Sequence, residues 1–392
     1  MPFIEMDELD QRIRLVCALL DPERHRTAAA VCDAYGVVRS TGYYWLERYL
    51  QAQSFTALTN LSRAPHTQAN KTPDEIEARV VALREKYGWG GEKLQVLLRR
   101  EGITLSVSTV NRILRRRGLV RREEAQQPAV KRFEADAPNA LWQIDFKARF
   151  PLDEGHCYPL AVLDDNSRFL LGLCALPSTA EQTTYAALES IMVVHGLPDA
   201  ILMDHGTPWW NSNSPSGLTS FATKLIEQDI NLYYGRFRHP QTQGKVEALN
   251  HTLARDLRHH GLPNSLASAQ AHFDRFRSDY NQIRPHQMLG LGVPADYYQP
   301  SERRYQPTPV PWNYPSDYQV VRLNSQGSMD YLGIRCFVAK PLAARQVGVH
   351  EADGHLLVQY RGHYIREINL HTGESRAFDK PLHDVRMVSD MS

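Results

Sequence analysis

The apolar positions of this chain keep a helical period to about residue 120, alternate between strand and helix patterns from about 140 to 300, and turn strand-like beyond. Over residues 8–50, "RTAAAVCDAYGVVRSTGYYWLERYL" predicts a helix and a turn at Gly36. Ser40 and Thr41 then start a second helix bearing Tyr44, Trp45 and Leu46. Helix, glycine turn, helix is the grammar of a helix-turn-helix over 8–55, and equally of a plain αα-hairpin. After a polar stretch, Thr72 reads as an N-cap with Pro73 at the first helical position. The unit at 72–122 then places Leu94, Leu97 and Leu98 on one face, breaks at Gly102, and restarts at Ser106 or Ser108. Its last helix buries Val110, Ile113 and Leu114 at i, i+3, i+4 spacing and leaves Asn111, Arg112, Arg115 and Arg116 outward.

Residues 123–139 are charged, contain Pro128 and Pro138 and show no period, so they read as a linker. From 140 the pattern predicts a strand at "ALWQIDFKARF", a hairpin turning at Asp164–Ser167, and a helix ended by Gly196. A short strand at "DAILMDHG", a helix at "LTSFATKLIEQ", a strand at "NLYYGR" and a long helix through "QTQGKVEALNHTLARDLRHHG" follow. Two further helical stretches reach about 300. That order predicts an α/β layer with a mixed five-stranded sheet. Past the Pro-rich "RRYQPTPVPWNYP", short strands with a turn at Asp353–Gly354 predict a small β-barrel or sandwich over 312–380.

Composition changes the picture little. The 392 residues carry a net charge of +1, so any claim on nucleic acid must rest on local charge. Such a locality exists: from Lys93 to Arg122 there are nine Lys/Arg against Glu101 alone. A basic stripe on the second helix of a helix-turn-helix is a groove-reading arrangement, which makes Asn111, Arg112, Arg115 and Arg116 candidate DNA contacts. The five cysteines lie far apart with no CxxC pair, which suggests reduced thiols and argues against a zinc module. With no membrane-length apolar run and an acidic N-terminus, a cytoplasmic location is expected, nucleoid-associated when bound to DNA.

Three carboxylates stand out. Asp145 interrupts the strand-like "WQIDF", where Asp is depleted; it is either a solvated edge residue or a charge held for a divalent ion. Asp204 follows the apolar run Ile201–Met203 at a strand's carboxyl end, where ligands collect. Glu247 lies on the last long helix, roughly 200° from the Leu249, Leu253, Leu257 stripe at about 100° per residue, with His251 and Arg258 on its side. Singly, each has an ordinary reading as an edge, turn or surface residue. Together on one α/β unit they can converge, and oxygen ligands with open positions suit Mg²⁺ or Mn²⁺.

The stretches "LWQIDF", "ILMDHGTPW" and "RHPQTQGKVEALN" resemble the DDE motif of the retroviral-integrase-like transposases of bacterial insertion sequences, in particular the IS481/IS3-type group. "HPQTQGKVE" is the most specific, "YNQIRPHQMLG" resembles the segment that follows it, and the two N-terminal units resemble the family's helix-turn-helix regions. The likeness spans about 10–300, with a C-terminal barrel like that of related transposases. It implies an RNase H-like core at 140–300 and an SH3-like barrel behind it. Asp145, Asp204 and Glu247 would be catalytic ligands of two Mg²⁺ or Mn²⁺ ions. The implied activity is end cleavage and strand transfer on double-stranded DNA by a homodimer or larger assembly. Forty-two residues lie between Asp204 and Glu247, more than the family pattern has, and Ala248 stands where an Arg is common.

Around the motif, His239, Gln241, Gln243 and Lys245 read either as a solvated loop or as DNA contacts, Lys245 first, and Arg258 joins the DNA-facing candidates. Asp164 and Asp165 read as hairpin-turn residues, and His205 as structural or solvated. Two rival functions share the same features: an idle transposase-derived DNA-binding regulator, and a hydrolysis-only RNase H-like nuclease.

Overall fold

The computed structural model describes residues 7–23, 25–61, 71–120, 134–214, 216–235, 244–309 and 311–377. The chain divides into two compact units, residues 1–72 and 73–392.

The first unit holds α1 (Glu8–Leu20), α2 (Ala28–Ala34) and α3 (Arg39–Ala52) around Leu15, Val16, Leu19, Val31, Cys32 and Leu58. The turn at Gly36 has the positive φ (66°) that the sequence places there. Helix α3 starts earlier than expected: its N-cap is Val38, so Ser40 and Thr41 lie inside the first turn and cap nothing. Thr27, which was not singled out, caps α2 by accepting the Ala30 N–H.

The second unit opens with α4 (Asp74–Tyr87), α5 (Gly91–Arg100) and α6 (Val107–Arg116). The predicted faces pack as one cluster, Leu94, Leu97 and Leu98 meeting Val110, Ile113 and Leu114, joined by Val80 and Leu83 from α4. Ser106 caps α6 from the Thr109 N–H, as expected, whereas Pro73 and not Thr72 occupies the cap of α4.

The α/β layer is built from β1 (Trp142–Phe146), β2 (Phe150–Pro151), β3 (His156–Asp164), β4 (Leu170–Leu176), α7 (Glu181–His195), β5 (Ala200–Met203), α8 (Ser220–Glu227), β6 (Asn231–Tyr234), α9 (Gly244–His260) and α10 (Leu266–Gln282). The sheet is mixed. Strand β3 lies antiparallel between β4 and β1, and β5 and β6 run parallel to β1 on its other side. It has six strands and not five, because two-residue β2 continues the line of β1 along β3. After α10 come two 3-10 turns, Gln287–Leu289 and Pro294–Asp296, in place of the second expected helix.

Alternation along β1 sorts its side chains to two layers. Trp142 and Ile144 pack with Leu188 and Met192 of α7 and Phe221 of α8. The opposite face, with Ala161 and Leu163 of β3, is covered by Val246, Leu249, Leu253 and Leu257 of α9 and by Phe273 and Phe276 of α10. Asp145, paired in register with Ala161, belongs to this α9 side.

The tail carries β7 (Gln319–Arg322), the hairpin β8 (Ser328–Tyr331) and β9 (Ile334–Phe337), β10 (Gln346–Ala352), β11 (His355–Tyr360), β12 (His363–Asn369) and β13 (Ser375–Ala377). Five strands form an open antiparallel sheet in the order β13-β12-β11-β10-β7, and β8-β9 stands apart as a two-stranded sheet. The expected barrel is therefore not closed among the described residues. One apolar cluster joins this sheet to Leu218, Ala222 and Ile226 at α8. The Pro-rich stretch before it is no loose tether at its start: Arg303 donates to the carbonyls of Pro198 (2.8 Å) and Asp229 (2.6 Å) and pairs with Asp199.

Candidate active site

Parallel pairing of β1 with β5 brings the carboxyl end of each to the same rim of the sheet. Asp145 is the fourth residue of β1, half-buried, and Asp204 follows directly on β5, exposed. Glu247 lies in the first turn of α9, exposed, beside the buried Val246 that begins the helix's apolar stripe. Burial pushes the Asp145 carboxyl up to about 7, and the negative charges of Asp204 and Glu247 add to the rise. The Asn250 side-chain amide, one turn beyond Glu247, opposes it by donating to Asp145 Oδ2 at 2.9 Å. The Oδ1 of Asn250 is buried without a hydrogen-bond partner. Asp204 is held by the Gly206 N–H, which donates to its Oδ1 at 2.9 Å. Among the described residues, no three His, Cys, Asp or Glu side chains stand close enough together to hold a metal ion.

The loop after Asp204 is built from aromatic rings. His205 packs edge-on against Trp210 (5.1 Å between centroids) and lies tilted against Tyr234 at the end of β6 (5.5 Å), as a structural histidine would. Trp210 lies directly on Gly217, whose φ of +66° and crowded Cβ position admit no side chain. Trp209 turns the other way and stacks on Phe146.

The candidate DNA contacts separate. Arg112, Arg115 and Arg258 are exposed. The charge of Arg258 reaches Lys147, just past β1, whose ammonium is lowered by burial and then by that charge. Asn111 does not point outward but packs onto Gly91 at the start of α5. Arg116 pairs with Glu77 of α4, which is 1% exposed, and Arg117 approaches the same carboxylate at 3.5 Å. Lys245 is half-buried against Asp165. His239, Gln241 and Gln243 lie outside the described residues.

Several polar residues near the site have partners that sequence pattern does not reveal. Asp164 and Asp165 do sit at the β3–β4 turn, but both are fully buried. Asp164 accepts the Ser167 and Asn139 N–H groups, and Asp165 accepts the Ala135 N–H and the Gln143 amide. Gln143 shares the face of Asp145, which strand alternation alone could have signalled. Asn250 stands three residues after Glu247, a helical neighbour by spacing.

Comparison with known proteins meets this geometry at three places. Residues 135–240 and 228–294 match the integrase core domain family, and residues 41–114 match a homeodomain-like domain. An uncharacterized 31.7 kDa protein of insertion element IS407 from Burkholderia multivorans is 25% identical over 254 residues, 61% of this chain and 87% of that one. An uncharacterized 39.2 kDa protein of insertion element IS476 from Xanthomonas euvesicatoria is 25% identical over 264 residues, 65% of this chain and 71% of its own. Similar solved structures include the HTLV-2 integrase catalytic core domain in complex with magnesium, with 16% identity and a TM-score of 0.34 over 42% of this chain and 100% of that chain. A simian T-cell lymphotropic virus intasome in complex with PP2A regulatory subunit B56 gamma gives 13% identity and a TM-score of 0.39, over 77% of this chain and 99% of that one. The central α/β layer is an integrase core domain. With the homeodomain-like match and the insertion-element relatives beside it, these likenesses together support an insertion-element transposase.

Proposed function

We propose that this protein binds the terminal inverted repeats of a mobile DNA element and catalyses metal-dependent cleavage of its 3′ ends and their transfer to target DNA. The observation that carries this reading is the charge coupling at the sheet rim: Asp145 feels both Asp204 and Glu247, and its carboxyl rises to about 7. A buried carboxylate held next to two further negative charges is a site without its counter-charge. The donor chemistry, carboxylate oxygens, suits a hard cation, whose binding would draw together groups that do not form a ligand cluster as they stand. Asp145, Asp204 and Glu247 would hold it. When bound, two Mg²⁺ or Mn²⁺ ions supply activation of an attacking oxygen and stabilisation of the leaving one in an in-line phosphoryl displacement.

The remaining chemistry belongs to the chain. Asn250 fixes one oxygen of Asp145 by donating to it at 2.9 Å. The aromatic floor under His205 holds the strand end that presents Asp204. Arg112 and Arg115 on α6 contact phosphates, and Arg258 extends the cationic surface along α9. In this reading residues 8–55 and 72–122 are the end-binding domains, 140–300 the catalytic domain and 312–380 an accessory one. Two element ends call for a homodimer or larger assembly.

The test is strand transfer in vitro with Mg²⁺ and an oligonucleotide carrying the element end. Asp145→Asn, Asp204→Asn and Glu247→Gln should each abolish cleavage and joining while end binding persists. Full activity in Asp145→Asn would overturn the assignment. Cleavage without joining in the native protein would favour a nuclease, and binding alone a regulator.

A further inference from the structure

We propose that Asp165, Lys245 and Gln143 form a positioning latch that sets Glu247 opposite Asp145, and that Lys245 serves this latch and not the DNA. The inference rests on reading Asp145 and Glu247 as metal-holding carboxylates. Asp165 is fully buried at the β3–β4 turn, and each of its carboxylate oxygens is engaged. Its Oδ1 accepts the Gln143 side-chain amide at 2.6 Å. Its Oδ2 accepts the Ala135 N–H at 2.7 Å and the Lys245 ammonium, which also donates to the Asp165 carbonyl at 3.2 Å. Gln143 is 1% exposed, and its remaining oxygen accepts the Val246 N–H at 3.2 Å.

The latch therefore grips α9 twice in its first turn, by the Lys245 side chain and the Val246 backbone. That turn is where helical N–H groups lack partners of their own, so the Gln143 oxygen meets a real vacancy. The spacing is what gives the latch a task. Gln143 is two residues before Asp145 and on the same face of β1; Lys245 is two residues before Glu247 on α9. Binding the two inner residues to one buried carboxylate fixes the two outer ones relative to each other. A Lys245 drawn away to a DNA phosphate would strand the Asp165 charge in the interior, which is strongly unfavourable. Groups that orient ligands from behind in this way are worth 10–100-fold in metal affinity or activity.

The experiment uses the full-length protein, Mn²⁺ binding followed by electron paramagnetic resonance, and end binding across a salt series. Lys245→Met should weaken Mn²⁺ binding about tenfold. Affinity for the DNA end and its salt dependence should not change, and excess Mn²⁺ should restore strand transfer. Because a lone buried carboxylate could unfold the single variant, the double variant Lys245→Met/Asp165→Leu replaces the pair with apolar groups of similar size. It should fold and show at least the single variant's tenfold loss, because Gln143 loses its anchor together with Lys245. Weakened end binding with a shallower salt slope and intact Mn²⁺ affinity would overturn the latch in favour of a phosphate contact. Wild-type Mn²⁺ affinity in the double variant would overturn it as well. Asp145→Asn separates the two levels: if it binds Mn²⁺ like the native protein, the metal-site reading itself has failed.

Discussion

Asn250 on α9 donates its side-chain amide to Asp145 on β1 at 2.9 Å, tying the helix that carries Glu247 to the strand that carries the first carboxylate. The bond favours the ionised form of Asp145, yet burial and two like charges outweigh it, and the carboxyl stays near 7. A site arranged this way is costly to the folded chain until its charge is met.

Stability should follow. In the unfolded chain Asp145 returns to the ordinary value of 3.8, so between about 4 and 7 the native state binds the proton more tightly. The contribution of this group is fully present below about 4 and lost as pH rises through about 7. Without divalent metal, Asp145→Asn should melt higher than the native protein at pH 8, with a clearly smaller gap at pH 5, by scanning calorimetry. Equal melting at both pH values would count against the raised pKa.

On α6 the arginines should divide by partner. Arg112→Ala and Arg115→Ala should each weaken end binding and reduce the slope of log affinity against log salt by about 0.9, with melting unchanged. Arg116→Ala should instead lower thermal stability, at a cost of about 1–3 kcal/mol, because the buried Glu77 carboxylate loses its main partner.

Glu227 should govern how firmly the C-terminal sheet sits on the core. Its Oε1 accepts from Arg345 Nε at 2.7 Å and from the Tyr360 hydroxyl at 2.8 Å, while its carbonyl accepts from Arg361 at 2.9 Å. Glu227→Ala should speed hydrogen exchange in β10 and β11, with exchange in β1 and β3 unchanged.

Gly217→Ala should loosen the loop behind Asp204. Both the left-handed backbone and the Trp210 ring oppose a side chain there. Strand transfer should fall, the requirement for Mn²⁺ should rise, and end binding should persist.

Hydrophobic period made the helical faces at Leu94–Leu98 and Val110–Leu114 legible, along with the α9 stripe and the alternation that sends Asp145 to one side of β1. These are local consequences of where apolar side chains fall on a 3.6- or 2-residue repeat. The carboxylates were legible as residues because charge in a strand-like run needs a reason. What pattern could not decide was partnership. Arg116 and Lys245 read as candidate DNA contacts in sequence, and only packing of α6 against α4, and of α9 against the β3–β4 turn, puts buried carboxylates beside them. Closure of the tail strands was likewise beyond period alone, since alternation fixes a face and leaves open which strand edges meet. Local spacing set the elements and their faces; contacts between residues as far apart as Asp165 and Lys245 were set by the fold.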